Sequence, residues 1–572
     1  MKNNKIPFIY VIFFILVMAL FGAFLFFSVS KPKNYFNPEI TKIESAIRGN
    51  IETKNFTLAK SERIYSVYIN PAYISPDKKR MFVDLFSIYT GVDKKTLYKK
   101  LRQHKKRILL AKVDLKTKQQ LVYLRRVLDY YRVFNSFNGV RRAYDIESVI
   151  YVKKNKFIAL FKRIYPYGDT FEPFLGRYLK DKGRGDNGLE DYYDNILRPQ
   201  RNGIIKGYRD VGGNIIYDKN AVVKYPVNGK NLKLNINLVL QKRIEKLLDE
   251  AKTLYQAKEV MAAVMDSKTG KILAIASSNR YNPLHIRKQD IPNMKISAVR
   301  YLYEPGSVMK PITFAILLEH KKVNPYEVLN GYNGHWKPEW RKTPIRDDDA
   351  FEWLSAENAL VYSSNIVISQ LALRLTPREF YNGLKNFGFS EYSGIDLPYE
   401  LKGVIRSVKE LQYPIYKSTT AYGYGIMVNF VQLLKAYNTF NNNGIEVTPK
   451  IADVPSTAKR VISAKTANEM LRILRKIVLK GTAKNAYIDG IFTAGKTGTA
   501  HVSVNNKYEK IYNSSFFGFA NDKNHRYTIG VTFLDIKAPF PNYFASQSAV
   551  PLFKKIVIIL KDERMIGDGN GE

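Results

Sequence analysis

A serine and a lysine three residues apart are the first group in this sequence with side chains suited to acyl transfer. They stand in Ser307-Val308-Met309-Lys310, which follows Glu304-Pro305-Gly306 and precedes an apolar run over 312–318. Proline-glycine before an apolar run predicts a turn into a helix, on which residues three apart share one face. The N-terminus of a helix favours an alkoxide and a developing oxyanion, so Ser307 is a candidate nucleophile.

A second hydroxyl-rich motif, Ser363-Ser364-Asn365, opens another helix-like run over 366–375. Taken alone, this motif fits a serine that simply caps a helix N-terminus. The first motif is also weak by itself, because Ser-x-x-Lys should occur about three times by chance in a chain of this composition.

The third motif is Lys496-Thr497-Gly498-Thr499-Ala500, just ahead of a predicted strand pair. Strand alternation places Thr497 and Thr499 on one face and Lys496 and Gly498 on the other. Gly498 would leave room for the backbone of a ligand. Lys-Thr-Gly should occur by chance well under once, and the three motifs in this order together indicate one active site.

Helices and strands predicted from hydrophobic periodicity surround these motifs. Asn237 can cap a helix whose apolar positions, from Leu240 to Ala251, follow a spacing of 3.6 residues. Two strand pairs are predicted, 260–265 with 272–276 and 514–520 with 527–534, and a helix over 545–560 follows them. Strands at both ends with helices between them predict an α+β domain in which the first and last strands share an antiparallel sheet. Ahead of this domain, helical patterns around Arg80–Arg107 and Lys116–Val133 carry no catalytic spacing.

An uncharged apolar segment from Pro7 to Val29 is long enough to cross a hydrocarbon core of about 30 Å. A signal peptide has a shorter apolar region and a small-residue cleavage site, so we predict an uncleaved membrane anchor. Lysines flank the segment on both sides. The positive-inside rule therefore does not choose its orientation.

The composition excludes several other classes of protein. Lys and Arg number 91 against 51 Asp and Glu, a net charge of +40 that would attract polyanions. The basic residues are scattered and no nucleic-acid-binding motif accompanies them, so we expect no nucleic acid partner. The chain has no cysteine, and its six histidines lack ligand spacing. We therefore expect neither a metal site nor a cofactor.

The three motifs resemble those of the serine β-lactamase and penicillin-binding superfamily. Their surroundings resemble a class B penicillin-binding protein, a monofunctional peptidoglycan D,D-transpeptidase. The segments Tyr303–Pro311, Tyr362–Asn365 and Lys496–Ala500 are more similar to the division branch than to the elongation branch. Segments before the motifs resemble the pedestal domain of the same family: Arg48-Gly49, Arg163–Gly168 and Gly188-Leu189-Glu190.

This resemblance implies a domain order along nearly the whole chain. A transpeptidase domain of the penicillin-binding type, an antiparallel sheet flanked by helices, would occupy 229–561. It would follow an elongated, mixed α/β, dimerisation-like pedestal over 31–228. A cytoplasmic stub with the transmembrane anchor would occupy 1–30, and 562–572 would form a flexible tail.

The resemblance also implies a role for each catalytic residue. Ser307 would attack the penultimate D-Ala carbonyl of a D-Ala-D-Ala stem peptide, with Lys310 as the candidate base. Lys310 must then be neutral, which burial and the neighbouring Lys496 would favour. Ser363 would relay the proton to the leaving amine, and Asn365 would orient Lys310 and the substrate amide. Which group is the base stays open at this point.

The substrate-binding residues follow from the same resemblance. Backbone N–H groups of Ser307 and Thr499 would form the oxyanion hole. Lys496, Thr497 and Thr499 would hold the substrate carboxylate, with Gly498 between them. Attack on the ester by an amine of a second stem peptide would give a crosslink, and attack by water would make the enzyme a carboxypeptidase.

The location and the partners are likewise implied. Stem peptides exist only outside the cytoplasmic membrane, so the resemblance predicts a single-pass inner-membrane protein with its N-terminus inside and its catalytic domain in the periplasm. Expected partners are peptidoglycan, covalently bound β-lactams, a membrane-embedded glycan polymerase and division-complex proteins. Alternatives are a D,D-carboxypeptidase or β-lactamase-like hydrolase, a non-catalytic division scaffold, and a basic membrane-tethered protein that binds anionic polymers.

Overall fold

The structure is a computed structural model, and it describes residues 6–29, 39–103, 108–135, 144–147, 151–153, 156–158, 161–208, 215–504 and 507–567. Helices in these segments are α1 Ile6–Val29, α2 Lys79–Thr90, α3 Lys94–Leu101, α4 Leu115–Tyr130, α5 Gly188–Tyr192, α6 Asp194–Leu197, α7 Leu238–Leu254, α8 Ser297–Arg300, α9 Lys310–Glu319, α10 Ala356–Val361, α11 Asn365–Ala372, α12 Pro377–Asn386, α13 Pro414–Ala421, α14 Phe430–Asn441, α15 Ala464–Lys480 and α16 Ala549–Asp562.

The strands of the described segments are mostly short before residue 259 and long after residue 492. They are β1 Glu39–Glu44, β2 Ile51–Glu52, β3 Thr57–Arg63, β4 Tyr65–Ile69, β5 Ile108–Val113, β6 Tyr144–Glu147, β7 Tyr151–Lys153, β8 Lys156–Ile158, β9 Phe161–Ile164, β10 Arg177–Leu179, β11 Arg184–Asp186, β12 Gly203–Tyr208, β13 Val222–Lys224, β14 Leu232–Lys233, β15 Glu259–Asp266, β16 Ile272–Ser277, β17 Val328–Asn330, β18 His335–Trp336, β19 Ile345–Arg346, β20 Trp353–Ser355, β21 Ile445–Val447, β22 Ala458–Arg460, β23 Phe492–Val504, β24 Lys507–Asn521 and β25 Arg526–Ile536.

The chain divides into two compact units, each built from several segments. The first unit comprises Met1–Ala46, Arg63–Leu160 and Gln200–Val227, and the second comprises Ile47–Glu62, Phe161–Pro199 and Asn228–Glu572. The second unit thus includes two segments of the predicted pedestal. The predicted boundary at residue 229 stays a prediction.

Helix α1 in the first unit is apolar on all sides. Its window Ile9–Phe26 has a mean hydropathy of 2.8, and among the described residues it is the helix with the length and composition to cross a membrane. This agrees with the apolar segment predicted from Pro7 to Val29. The helix is compatible with a single-pass membrane anchor.

The first unit also contains a small sheet with β4 between β5 and β6, packed with α2, α3 and α4. Phe82, Phe86 and Leu121 are fully buried in its core. The helical pattern predicted around Arg80–Arg107 forms two helices, because α2 ends before Gly91, which has φ +69° and caps the helix. A left-handed glycine at this position stops a helix, and α3 begins after Asp93, whose carboxylate caps it.

The second unit contains the five-stranded antiparallel sheet, in the order β16-β15-β25-β24-β23. The first strand of the domain, β15, pairs with the last strand, β25, over Glu259–Asp266 and Tyr527–Leu534. This pairing confirms the predicted sheet that joins the two ends of the domain. Helices α7 and α16 pack on the sheet and on each other, as do α14 and α15.

Local sequence signals explain several elements of this unit. The Asn237 side chain accepts hydrogen bonds from the N–H groups of Val239 and Leu240, as the predicted cap requires. Residues 232–236 alternate between apolar and polar, a pattern that predicts a strand, but β14 covers only Leu232–Lys233. Helix α16 begins at Ala549, four residues later than the predicted start at 545.

A buried ion cluster joins three separate stretches of the second unit. Glu190 forms ion pairs of 2.7 Å with the Nε atoms of both Arg48 and Arg163, and these three side chains are 0% to 3% exposed. The Tyr165 hydroxyl donates to the same carboxylate at 3.2 Å. The cluster ties β9 and α5 to the chain just before β2.

Removing the charge of Glu190 should destabilise the second unit. In Glu190→Gln the two arginines stay buried with too little negative charge, at a cost of about 3 to 5 kcal/mol. The thermal unfolding midpoint of the purified protein measures this effect. The control Glu62→Gln breaks an exposed pair with Lys60 and should cost less than about 1 kcal/mol. Equal midpoints for the two variants would contradict this account.

Candidate active site

Ser307 lies in a short 3-10 turn, Gly306–Met309, that leads directly into α9. Backbone contacts hold this turn at both ends. The Gly306 N–H donates to the carbonyl oxygen of Gly423 at 3.1 Å, and the buried Tyr437 hydroxyl donates to the carbonyl oxygen of Val308 at 2.6 Å. The Ser307 side chain is half-buried. The first motif therefore has the predicted position at the start of a helix.

Two glycines allow the chain to approach this turn closely. Gly423 has φ +90, and a Cβ atom there would lie 2.1 Å from the Gly306 carbonyl oxygen. A Cβ atom on Gly498 of β23 would lie 2.8 Å from Val308 Cγ1. Ala500 follows on the same strand, and its Cβ lies 3.1 Å from the position of a Cβ on Gly306. Strand β23 thus runs directly against the turn that carries Ser307.

Ser363 connects the other two motifs. Its hydroxyl accepts hydrogen bonds from Lys310 Nζ at 3.1 Å and from Lys496 Nζ at 3.0 Å. Lys310 Nζ also donates to the Ser363 carbonyl oxygen. Ser363 has φ 62, a left-handed backbone that a serine adopts only when its surroundings enforce it. Within the described residues, no hydrogen bond joins Lys310 to Ser307.

Lys310 and Lys496 are buried, and burial is the largest cause of the shifts in their pKa values. Lys310 and Lys496 are both 0% exposed. Burial lowers the pKa of Lys310 to about 8, although Asp347 and Asp348 oppose this shift. Burial, together with the charge of Lys310, lowers the pKa of Lys496 well below its ordinary value. A neutral amine next to Ser363 is therefore accessible near neutral pH.

Asp347 is a site residue that sequence reasoning missed. Its carboxylate accepts hydrogen bonds from the Ser364 hydroxyl at 2.5 Å and from the N–H groups of Asn365 and Ile366 at 2.5 and 3.1 Å. Burial raises the pKa of Asp347, and these hydrogen bonds and Lys310 oppose that shift. The only signal in the sequence is the acidic run Asp347-Asp348-Asp349 in a strongly basic chain.

The Asn365 side chain is hydrogen-bonded to the end of β19. Its side-chain N–H donates to the carbonyl oxygen of Arg346 at 2.8 Å. No hydrogen bond from Asn365 to Lys310 is found in the described part of the chain. Ser364, the central residue of the motif, caps α11 by accepting from the N–H of Val367 at 3.0 Å.

The third motif lies on β23, at the edge of the five-stranded sheet. Lys496 Nζ reaches the Ser363 hydroxyl and a Cβ on Gly498 would meet Val308, so these two residues face the turn of Ser307 as alternation predicts. Lys496 Nζ also donates to the Thr497 hydroxyl at 3.3 Å. The Thr497 hydroxyl lies 2.8 Å from the hydroxyl of Thr482. The Thr499 hydroxyl accepts from the Ala545 N–H at 3.1 Å. The structure thus brings together Ser307, Lys310, Ser363 and residues 496–499, and among the described residues it contains no cluster of three potential metal ligands.

Comparison with known proteins agrees with this geometry. The family model for the penicillin-binding protein transpeptidase domain matches residues 260–557, and the model for the penicillin-binding protein dimerisation domain matches residues 43–234. The chain belongs to the penicillin-binding protein transpeptidase family, and the combination of the two domains is that of a class B member.

Relatives and solved structures support the same membership. Probable peptidoglycan D,D-transpeptidase PenA of Neisseria meningitidis is 30% identical over 421 residues, which cover 73% of this chain and 70% of PenA. Peptidoglycan D,D-transpeptidase FtsI of Buchnera aphidicola is 28% identical over 429 residues, 73% of each chain. The crystal structure of penicillin-binding protein 3 from Mycobacterium tuberculosis with aztreonam has 25% identity and a TM-score of 0.61, covering 72% of this chain and 93% of that one.

A side chain at position 498 should disturb the turn that carries Ser307. In Gly498→Ala the new Cβ would stand 2.8 Å from Val308 Cγ1 and 3.2 Å from the Pro305 carbonyl oxygen, so the turn must shift. Displacement of a reacting group by about 1 Å can slow a reaction by about a hundredfold, and we expect slower acylation by a fluorescent penicillin. Adding Val308→Ala removes the nearest atom and should restore part of the rate. Wild-type acylation in Gly498→Ala alone would contradict this account.

Proposed function

We propose that this chain is a peptidoglycan D,D-transpeptidase that forms an ester between Ser307 and a D-Ala-D-Ala stem peptide. One observation carries the proposal: the Ser363 hydroxyl lies between two buried lysines, beside the turn that holds Ser307. The names of the relatives PenA and FtsI support this reaction. FtsI and the motif resemblance favour a role in division.

The proposed acylation uses groups with suitable positions and protonation. Neutral Lys310 takes the proton of the Ser307 hydroxyl as its oxygen attacks the penultimate carbonyl carbon. Ser363 lies within hydrogen-bond distance of Lys310 Nζ, so it can pass this proton to the departing D-Ala nitrogen. The peptide C–N bond breaks, the terminal D-Ala leaves as an amine, and Ser307 keeps the acyl group. An amine of a second stem peptide then displaces Ser307 and forms the crosslink.

We assign substrate binding to the third motif. Lys496, Thr497 and Thr499 would hold the substrate carboxylate, and Gly498 would keep the strand close to the turn. The backbone N–H groups of Ser307 and Thr499 would bind the oxyanion. An arriving carboxylate would favour the charged form of Lys496. The developing charge at Lys496 would in turn keep Lys310 neutral.

Asp347 completes the proposal as a positioning residue. It holds the start of α11 and, through Ser364, the turn on which Ser363 adopts its left-handed backbone. Its negative charge also favours the protonated form of Lys310. Asn365 is proposed to bind the substrate amide, in keeping with its half-buried position.

We further propose where the protein works. Helix α1 would anchor the protein in the inner membrane with the N-terminus inside and the catalytic domain outside. This orientation is required because stem peptides exist only outside the cytoplasmic membrane. A glycan polymerase and division-complex proteins would be its partners. The domain limits proposed from the sequence are 1–30, 31–228, 229–561 and 562–572. A topology fusion that reports a cytoplasmic C-terminus would overturn this orientation.

Replacing Asp347 by Asn should move the pH dependence of acylation. Lys310 acts when neutral, so the wild-type rate should rise with pH through a pKa of about 8. Without the carboxylate the pKa of Lys310 falls further, and the rise should occur at lower pH. The test is the pH profile of acylation by a fluorescent penicillin. Ser364→Ala is the control, since it removes the 2.5 Å hydrogen bond but keeps the charge. An unshifted midpoint in Asp347→Asn would count against Lys310 as the base.

The nucleophile is tested by covalent labelling. Purified protein incubated with a fluorescent penicillin should carry a stable label, because acylation of a serine leaves a covalent ester. The label should be absent in Ser307→Ala and unchanged in Ser456→Ala, a serine outside the site. No label on folded wild-type protein would favour the scaffold alternative. Rapid release of hydrolysed antibiotic would favour the β-lactamase alternative.

A further inference from the structure

A cavity of about 720 Å³ lies away from Ser307, between α15 and the end of the five-stranded sheet. Its walls include five basic residues and three apolar ones. The basic residues are Arg472, Arg475, Lys476, Lys523 and Arg526, and the apolar ones are Leu471, Leu479 and Phe492. Phe492 precedes Lys496 by four residues on β23, so the cavity and the third motif are separated by roughly 13 Å along the strand. The cavity is therefore not part of the acylation site.

Arg475 is held rigidly at the wall of this cavity. Its Nη1 donates to the carbonyl oxygen and the hydroxyl of Thr493 at 2.6 and 3.1 Å. Its guanidinium carbon lies 5.5 Å from the ring centre of Tyr487 and 5.2 Å from that of Phe492. These contacts fix the orientation of the guanidinium and leave its remaining N–H groups available.

The positive charge of Arg475 is not balanced by an acid. In the described part of the chain it forms no ion pair, and burial lowers the pKa of Arg475. Lys523 and Arg526 likewise have no ion pair among the described residues, and Arg526 is half-buried. By contrast, the other two basic residues of the wall, Arg472 and Lys476, both pair with Glu357.

Asp522, the acidic residue of the cavity wall, already accepts hydrogen bonds from within the protein. The carboxylate of Asp522 accepts hydrogen bonds from the N–H groups of Asn524, His525 and Gly567 at 2.8, 2.6 and 2.8 Å. It also lies 3.1 Å from the His525 ring nitrogen. Three cations around one cavity thus lack a counter-charge, and one of them is fixed in place before any ligand arrives.

We propose that this cavity binds the phosphate group of a glycerol phosphate ester. A phosphate ester offers three free oxygens and up to two negative charges as a monoester, or two free oxygens and one charge as a diester. Either form can accept hydrogen bonds from the fixed guanidinium with the two further cations around it. The apolar wall residues Leu471, Leu479 and Phe492 are placed to contact the carbon atoms of the glycerol.

The test is isothermal titration calorimetry of the full chain in detergent with sn-glycerol 3-phosphate at constant ionic strength. Saturable binding is expected, with at least about tenfold weaker affinity in the double variant Lys523→Gln/Arg526→Gln. The control Lys409→Gln/Lys465→Gln removes the same charge from two exposed lysines outside the cavity. Fluorescent penicillin labelling checks that both variants are folded. Equal weakening in both, or no saturable binding, would overturn the proposal.

Two further arms identify the source of the phosphate. Soluble poly(glycerol phosphate) represents a wall polymer, and short-chain phosphatidylglycerol represents a lipid headgroup. The ligand that loses affinity in Lys523→Gln/Arg526→Gln is assigned as the source. The chain also ends with the acids Asp568 and Glu572. Binding seen only after Asp568→Asn and Glu572→Gln would mean that these acids compete for the cations, and would overturn the proposed ligand.

Discussion

Two lysine side chains buried on either side of one serine hydroxyl are the interaction on which the active site depends. Placing an ammonium group away from water is costly, and placing two next to each other is more so. Burial therefore favours the neutral amines. It lowers the pKa of both lysines, that of Lys310 to about 8. The hydroxyl of Ser363 then accepts from both amines, and the site contains a base that can be neutral at neutral pH.

The rest of the second unit supplies the geometry that this arrangement requires. Lys496 comes from the edge strand of the sheet, Lys310 from the first turn of α9, and Ser363 from the turn before α11. These elements can meet only where their backbones approach closely. This requirement explains why glycine stands at position 498, next to Val308, and at position 423, next to Gly306. Asp347 adds the last constraint, because it holds the start of α11 and acts on the charge of Lys310.

Much of this arrangement could be predicted because its signals are local. The Asn237 cap, the hairpin before β16 and the turn ahead of Lys310 each depend on a few neighbouring residues. The order of the three motifs and the elements that carry them indicate one active site, and the resemblance to a family assigns a role to each residue. Asp347 could not be found in this way, since it reaches Ser364 from the separate hairpin of β18 and β19. The helical pattern around Arg80–Arg107 does not by itself show that α2 stops before Gly91, because helical periodicity continues on both sides of this glycine.

The proposal that neutral Lys310 takes the proton of Ser307 is tested most directly by measuring the protonation of Lys310 itself. Nitrogen NMR of the lysine side chains, assigned with Lys310→Arg, would follow this amine as the pH is raised. We expect a titration midpoint of about 8 for Lys310. A midpoint near the ordinary lysine value of 10.5 would contradict it, because a charged Lys310 could not take the proton of Ser307.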